Sequence, residues 1–498
     1  MNALLVTWPR RLGLALGILL LTFVPLALWT YYSYRAAPQL LSLEELMKRL
    51  IVLPILLTVA LLALATAVWK HRTQLSTSAL STSPVVATAV PQDRSKPFMA
   101  QVVGLEWLNP LQRRDYPTEW ELLWTMGLSK PNKHDDMVES DPKSFTTLQP
   151  VGIVADGNQG RESFEGFYEK YIDHLLLLFG DVYVINPKYF YTVHSKNTAE
   201  WRELAGIHIE FAIPAGRLDP EGARKYLSDQ IVNIFEIGNE DATDLWSKNI
   251  PPDVHVTPGG PNAGFTSLNK ALDYLQVHPD KSVWVMNWDA PSFPPTDGLM
   301  NENMALLILT GPDFKTEREP LAWIGRAATG NTQDFEAKAG TTRAVQAWKA
   351  TIDQAAQNAG VAAHDIHYVV HDAGKGDDAA SARLASLSQT LTEILPEYDY
   401  QKQTFNTSAL LGDMGAGTAL TDVALAIGRA NHLGGNTLVA GTTDPEHPMA
   451  VVIVPPSKLN PIDPNRDWWR ARGEGLAYLP WWGKRPDTNY GNAQGYSY

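Results

Sequence analysis

The 498-residue sequence contains no cysteine. This absence excludes disulfide bonds, thiolate metal ligands and every acyl-transfer mechanism that uses a cysteine nucleophile. It does not place the chain in a compartment, because a protein without cysteine can fold on either side of a membrane. With 45% hydrophobic and 10% aromatic residues, the chain still has ample material for a packed core.

An excess of positive charge and a common hydrolase pattern are also missing. The formal net charge of -13 argues against a nucleic-acid partner, since phosphate binding is driven by a basic surface. Thr266 and Ser267 lie in no Gly-x-Ser-x-Gly elbow. A hydrolase that would combine one of these hydroxyls with His371 and Asp372 is therefore disfavoured.

The N-terminal region contains two long apolar segments, residues 12–32 and 51–69, without acidic or basic residues. The length of each segment is close to that of a helix that crosses a bilayer, which needs about 20 residues. We therefore predict a two-helix transmembrane hairpin within residues 1–72. A cleaved signal peptide would explain only the first segment. Lysine and arginine are almost balanced around the segments; we favour both termini inside, and the opposite topology stays open.

After the hairpin, a Ser/Thr/Ala/Pro-rich stretch at 73–97 predicts a disordered linker. Residues 98–456 alternate apolar β-type runs with helical segments, which predicts a layered α/β domain with a mixed sheet. The predicted strands are 182–186, 207–213, 283–288, 305–311, 367–372 and 450–456. The predicted helices are 163–178, 222–234, 266–276, 342–358, 378–395 and 417–431.

Four segments resemble, in the same order, motifs of β-ketoacyl synthases, which have the thiolase fold. They are GGPNAGFTSL at 259–268, NENMALLIL at 301–309, DIHYVVHDAGKGDD at 365–378 and NTSALLGDMGAGTAL at 406–420. The resemblance implies a layered, thiolase-like (β-ketoacyl synthase-like) α/β domain behind the membrane hairpin. It also implies a homodimer, because such domains usually associate in pairs.

The catalytic residues of those enzymes have no complete counterpart here. They use a cysteine at a helix N-terminus and two histidines that stabilise an oxyanion. The resemblance places Gly264 at the nucleophile position, His371 at one histidine and Asp413 at the other, where a carboxylate would repel an oxyanion. We predict a degenerate pocket without catalytic residues or a cofactor. His364, His367 and His371 would share a face only on a helix, so no metal site is predicted in this strand-like segment.

The C-terminal tail, residues 457–498, is rich in tryptophan and arginine. These side chains dominate binding hot spots, and the prolines and glycines around them disfavour regular structure. The alternative is that the tail folds back over its own domain. The residues predicted to bind a partner are Trp468, Trp469, Arg470, Trp481 and Trp482.

Three segments are similar to the family of type VI secretion lipase adapter proteins: 98–124, 149–176 and WWRARGEGLAYLPWWG at 468–483. This resemblance implies a non-catalytic adapter that binds a phospholipase effector and helps to load it onto the secretion spike protein. With the hairpin, it implies a bacterial inner-membrane protein whose soluble domain faces the cytoplasm. Two alternatives stay open: an acyl-transfer or acyl-binding enzyme of the condensing type with a non-cysteine mechanism, and a structural envelope protein.

Overall fold

The structure, a computed structural model, describes residues 97–108, 118–128, 163–185, 204–238, 249–290, 303–315 and 319–461. The predicted transmembrane segments and nearly all of the predicted linker lie outside these residues. So do Trp468, Trp469, Arg470, Trp481 and Trp482. Among the described residues, no helix is both long and apolar enough to span a membrane.

The described strands form one mixed sheet with eleven members. Its order is β3-β2-β4-β5-β1-β6-β11-β10-β8-β9, and β7 pairs with β11. The strands are β1 (Ala100–Leu108), β2 (His208–Pro214), β3 (Asp253–Gly259), β4 (Ser282–Asp289), β5 (Asn303–Thr310), β6 (Ala322–Ile324), β7 (Ala328–Thr329), β8 (Ile366–His371), β9 (Thr404–Asn406), β10 (Asn436–Gly441) and β11 (Met449–Val454). The predicted mixed α/β architecture is therefore confirmed.

The described α-helices connect these strands and cover the sheet. They are α1 (Thr118–Thr125), α2 (Phe164–Ile185), α3 (Pro220–Ile234), α4 (Ala263–Val277), α5 (Arg343–Asn358), α6 (Asp378–Ile394), α7 (Tyr400–Gln403), α8 (Thr407–Leu411) and α9 (Thr418–Leu433). A short 3-10 turn, Gly415–Gly417, leads directly into α9. Local caps fix several helix starts: the side chain of Asp219 accepts from the Gly222 N–H at the start of α3, and that of Thr342 accepts from the Val345 N–H at the start of α5.

The sheet consists of two halves with the same strand arrangement. In the first half, β3, β2 and β4 are parallel, and β5 and β1 follow as antiparallel strands. In the second half, β9, β8 and β10 are parallel, and β11 and β6 follow as antiparallel strands. Pairing of β1 with β6 joins the halves. Because α4 and α9 each precede the third parallel strand of their half, they occupy equivalent positions.

Helix α9 lies at the centre of the core. Nearly all of its residues are buried, and it packs on β10, β5, β8 and α4. Alanine and glycine occupy many of its positions, which allows neighbouring elements to approach closely. Strands β4 and β5 are buried along their whole length, so both of their faces are covered, as the continuous apolar runs predict.

The predicted strand at 182–186 is wrong, because helix α2 continues to Ile185. Buried residues recur along this helix at i, i+3, i+4 and i+7, namely Tyr168, Tyr171, Ile172 and Leu175. Extending an existing helix requires no new nucleation, so the β-type run is absorbed into it. The predicted helix at 163–178 is present but extends to Ile185, and the other predicted strands and helices are present within a few residues. The elements that had not been predicted are β1, β3, β6, β7, β9, β10, α1, α7 and α8.

Candidate functional site

A cleft opens at the carboxyl end of β8, with a volume of about 410 Å3. It is bounded by the turn after β8, the start of α6, helix α8 and the first residue of α9. We call it the β8 cleft. Its lining residues are Asp372, Gly374, Lys375, Asp377, Ala380, Arg383, Ser408, Ala409, Leu410, Leu411, Gly412, Asp413, Thr418 and Thr443.

Asp372 is a buried carboxylate in the wall of this cleft. Its Oδ1 accepts from the Thr442 backbone N–H at 2.6 Å and from the Thr442 hydroxyl at 2.8 Å, and its Oδ2 accepts from the Thr443 hydroxyl at 2.7 Å. Burial raises the pKa of Asp372, although these three hydrogen bonds favour its charged form. The carboxylate therefore ties the end of β8 to the loop after β10.

A second buried carboxyl group, Asp422 on α9, interacts electrostatically with Asp372. Burial raises the pKa of Asp422 well above its ordinary value, and the charge of Asp372 raises it further. Its Oδ1 atom has no hydrogen-bond partner among the described residues. Because Asp372 accepts three hydrogen bonds, Asp422 is the member of the pair that is better suited to hold a proton.

His371, the residue before Asp372, is fully buried and does not line the cleft. Its Nδ1 accepts from the Ala373 N–H at 3.2 Å, which places the proton of the neutral ring on Nε2. Nε2 lies 2.9 Å from the Tyr400 hydroxyl and donates to it. Burial lowers the pKa of His371 to about 4. Both nitrogens are therefore engaged within the fold, and the ring is neutral near physiological pH.

The other two residues of the predicted pocket occupy different environments. Asp413 lines the β8 cleft and is exposed, and its Oδ1 accepts from the Gly415 N–H at 2.8 Å. Gly264, on α4, does not line the cleft but packs against α9. A Cβ atom at Gly264 would lie 3.0 Å from both the Ala419 Cβ and the Leu420 Cγ. Of the three residues, only Asp413 lines the cleft, and the assignment of a degenerate pocket stays a prediction.

The polar groups of the cleft mix both signs of charge. Arg383 donates to the Ala373 carbonyl at 3.0 and 3.3 Å, and Asp377 accepts from the Ala380 N–H as the cap of α6. The hydroxyl groups on the lining belong to Ser408, Thr418 and Thr443. Of these, Thr443 donates to a buried carboxylate, the arrangement that a hydroxyl nucleophile with a carboxylate base would need.

Asp289, which was not predicted from the sequence, holds the 3-10 turn that leads into α9. This buried carboxylate at the end of β4 accepts from the Arg217 guanidinium and the Ala416 N–H, both at 2.9 Å. Burial raises the pKa of Asp289 to about 6, even though the Arg217 charge opposes this shift. The only sequence signal is an aspartate directly after an apolar strand.

Residues 321–455 match a family model described as the type VI lipase adapter protein Tla3, C-terminal. The predicted resemblance to that adapter family is confirmed for this region. The matched range begins just before β6 and ends just after β11. Every residue that lines the β8 cleft lies within the matched range.

Solved structures with similar architecture include ketosynthases. The ishigamide ketosynthase/chain length factor is 15% identical with a TM-score of 0.42, and the alignment covers 71% of this chain and 99% of that one. The ketosynthase from module 6 of the bacillaene synthase from Bacillus subtilis 168 is 10% identical with a TM-score of 0.44, covering 72% and 71%. At these scores the similarity does not assign the fold. No curated protein matches the chain significantly.

Proposed function

We propose that this protein is a non-catalytic adapter that binds a phospholipase effector of a type VI secretion system and helps to load it onto the secretion spike. The match of residues 321–455 to the C-terminal domain of a type VI lipase adapter carries this proposal. An adapter needs a specific binding surface and no reactive group.

The chemistry around the β8 cleft supports a binding role. The chain has no cysteine, and both ring nitrogens of His371 are engaged by neighbouring groups. The exposed carboxylate of Asp413 would disfavour an oxyanion that developed beside it. These features favour recognition over acyl transfer.

The proposed location is the bacterial inner membrane, with the α/β domain on the cytoplasmic side. It follows from the apolar segments at 12–32 and 51–69 and from the need of an adapter to meet its effector before export. Anchoring would keep the adapter near a membrane-bound secretion machine. The proposed contact with the spike protein and the proposed homodimer rest on the same family-level reasoning.

An acyl-binding or acyl-transfer enzyme is the second candidate, and one observation favours it. The β8 cleft of about 410 Å3 is large enough for a small ligand, and it contains the hydrogen-bonded pair of Thr443 and Asp372. Thr443 would be the nucleophile in such an enzyme, with Asp372 as its base.

Affinity capture of the full-length protein in detergent distinguishes these candidates. The tagged chain is isolated from its native cells, and the intact mass of the bait and the identities of its partners are both determined. An adapter should recover a lipase together with bait of unmodified mass. An acyl adduct that disappears in Thr443→Val, or recovery of an acyl carrier protein, would favour the enzyme. Recovery of membrane components alone would contradict both.

A further inference from the structure

Two histidines and two carboxyl groups meet at the amino ends of β2 and β3. Because these strands are parallel and in register, His208 lies beside Asp253 and Glu210 lies beside His255. The two residues on each strand are two positions apart, so all four side chains share one face of the sheet. We call this group the β2/β3 cluster. It lies outside residues 321–455 and is independent of the adapter match.

The contacts within the cluster are short. Asp253 bridges the two rings, with Oδ2 at 2.8 Å from His208 Nδ1 and Oδ1 at 3.0 Å from His255 Nε2. The coordinating atoms offered by His208, Asp253 and His255 all lie within 4.8 Å of one another. Ligands of one zinc ion, bound at about 2.0–2.2 Å, would lie at comparable separations.

The orientation of His208 is fixed before any ion binds. Its Nε2 lies 3.1 Å from Glu210 Oε1, so that nitrogen donates to the carboxylate when Nδ1 is free of its proton. Its ring also stacks on Tyr274, with centroids 4.0 Å apart and the planes 4° from parallel. A carboxylate behind a histidine, with the other ring nitrogen facing a potential ion, is the usual outer shell of a metal-bound imidazole.

Glu210 provides an independent sign that a cation belongs here. Its side chain is only 5% exposed, yet its Oε2 atom has no hydrogen-bond partner among the described residues. A buried carboxylate without full compensation is costly, and nearby positive charge removes that cost.

We propose that the β2/β3 cluster is a binding site for a divalent transition-metal ion of the Zn²⁺ type. His208 Nδ1, His255 Nε2 and the Asp253 carboxylate are the ligands, and Glu210 positions His208. Imidazole and carboxylate together suit zinc, while hard ions such as Ca²⁺ prefer oxygen ligands alone. Three protein ligands leave a coordination position for water or for a side chain of another molecule. His208 is 45 positions from Asp253 along the chain, which is why no short metal-binding motif is visible in the sequence.

The site is tested by titrating Zn²⁺ into the full-length protein, purified in detergent with a tag that contains no histidine and stripped with a chelator. Calorimetry measures binding, and Co²⁺ absorption reports nitrogen and oxygen coordination. His255→Gln and Asp253→Asn change exposed side chains and should weaken Zn²⁺ binding by roughly tenfold or more. Glu210→Gln keeps all three ligands and should weaken binding less.

His278→Gln is the matched control, because His278 also packs on the Tyr274 ring but is not a member of the cluster. It should bind Zn²⁺ as the unchanged protein does. The melting temperature of each variant without metal shows that it is folded. The proposal would be overturned if the unchanged protein and His255→Gln had the same Zn²⁺ affinity and the same Co²⁺ spectrum. Any binding would then come from other histidines.

Discussion

The Arg217 guanidinium donates to the Asp289 carboxylate at 2.9 Å and joins the turn after β2 to the end of β4. The same guanidinium donates to the Ala290 carbonyl at 2.6 Å and lies 4.2 Å from the centre of the Phe164 ring. Asp289 also accepts from the Ala416 N–H in the turn that precedes α9. The buried carboxylate of Asp289 thus links the turn after β2 and the end of β4 to the turn that leads into the central helix α9.

Replacing the cation of this pair should destabilise the fold in a pH-dependent way. In Arg217→Gln, Asp289 keeps its backbone hydrogen bonds but loses its countercharge, which should cost about 2 kcal/mol at about pH 8. Because the pKa of Asp289 is already raised to about 6, its protonated form at about pH 5 needs no cation, and the loss should be smaller there. Denaturant unfolding at both pH values measures the difference.

The control for that experiment is Arg224→Gln on α3. Arg224 pairs with Glu221 on the surface, three residues earlier in the same helix. Exposed pairs of this kind contribute little, so its free energy of unfolding should change by less than about 1 kcal/mol. Equal losses in the two variants at both pH values would show that the buried carboxylate does not depend on Arg217.

Asp422→Asn should stabilise the protein at neutral and alkaline pH. The pKa of Asp422 is raised above its value in the unfolded chain, so the folded protein holds a proton that the unfolded chain has released. Stability is then lost as the pH rises above the unfolded pKa of about 4. The neutral amide removes this loss, and the gain should be on the order of 1 kcal/mol at about pH 8 and shrink towards about pH 4.

Thermal unfolding across this pH range measures the effect, with Asp353→Asn as the control. Asp353 is exposed on α5, so its replacement should leave the pH dependence unchanged. If Asp422→Asn instead lowers the stability by the same amount at every pH, the carboxyl group of Asp422 is charged in the folded protein, and the fold stabilises that charge.

A thiol placed at the predicted nucleophile position should be inaccessible. The Cβ of Gly264→Cys would already contact Ala419 and Leu420 at 3.0 Å, so the sulfur has to displace α9. Overpacking of this kind costs about 1–3 kcal/mol. In Gly260→Cys the added Cβ meets no heavy atom within 4 Å. Since the chain has no native cysteine, a thiol reagent reports each site alone. It should label Gly260→Cys readily and Gly264→Cys slowly; equal rates would refute the close packing.

The sequence-based predictions succeeded where one residue pattern determines one element. The continuous apolar runs of β4, β5 and β11 predict buried strands, because few other environments accept them. The strand β3 alternates polar and apolar residues at the sheet edge and contains Pro258, so its signal is weak. The strand predicted at 182–186 was wrong because a β-type composition does not end a helix that is already formed.

Most of the candidate sites depend on contacts that a sequence does not encode locally. The sequence motif predicts His371 in a degenerate pocket, but the buried position of β8 and the Tyr400 hydroxyl make it part of the core. Asp289 meets Arg217 across 72 positions, and His208 meets Asp253 across 45. Strand register brings the second pair together, and register is set by the whole sheet.

The C-terminal tail remains the predicted partner surface, and its tryptophans can be tested directly. Replacing Trp468, Trp469, Trp481 and Trp482 together by alanine should weaken binding of the proposed lipase effector by roughly tenfold or more, because buried aromatic anchors dominate binding energy. Calorimetry or biolayer interferometry measures the affinity. Lys458→Ala, an exposed position before these tryptophans, is the control and should leave the affinity unchanged.

The melting temperature of the same tail variant separates the two roles of these side chains. If they bind the proposed effector, affinity falls while the melting temperature of this protein alone is retained. If the tail instead folds back over its own domain, loss of four large apolar side chains from that contact lowers the melting temperature. If effector affinity is unchanged both by the substitutions and by deletion of residues 457–498, the tail is not part of the binding surface. That surface would then lie on the domain that matches the adapter family.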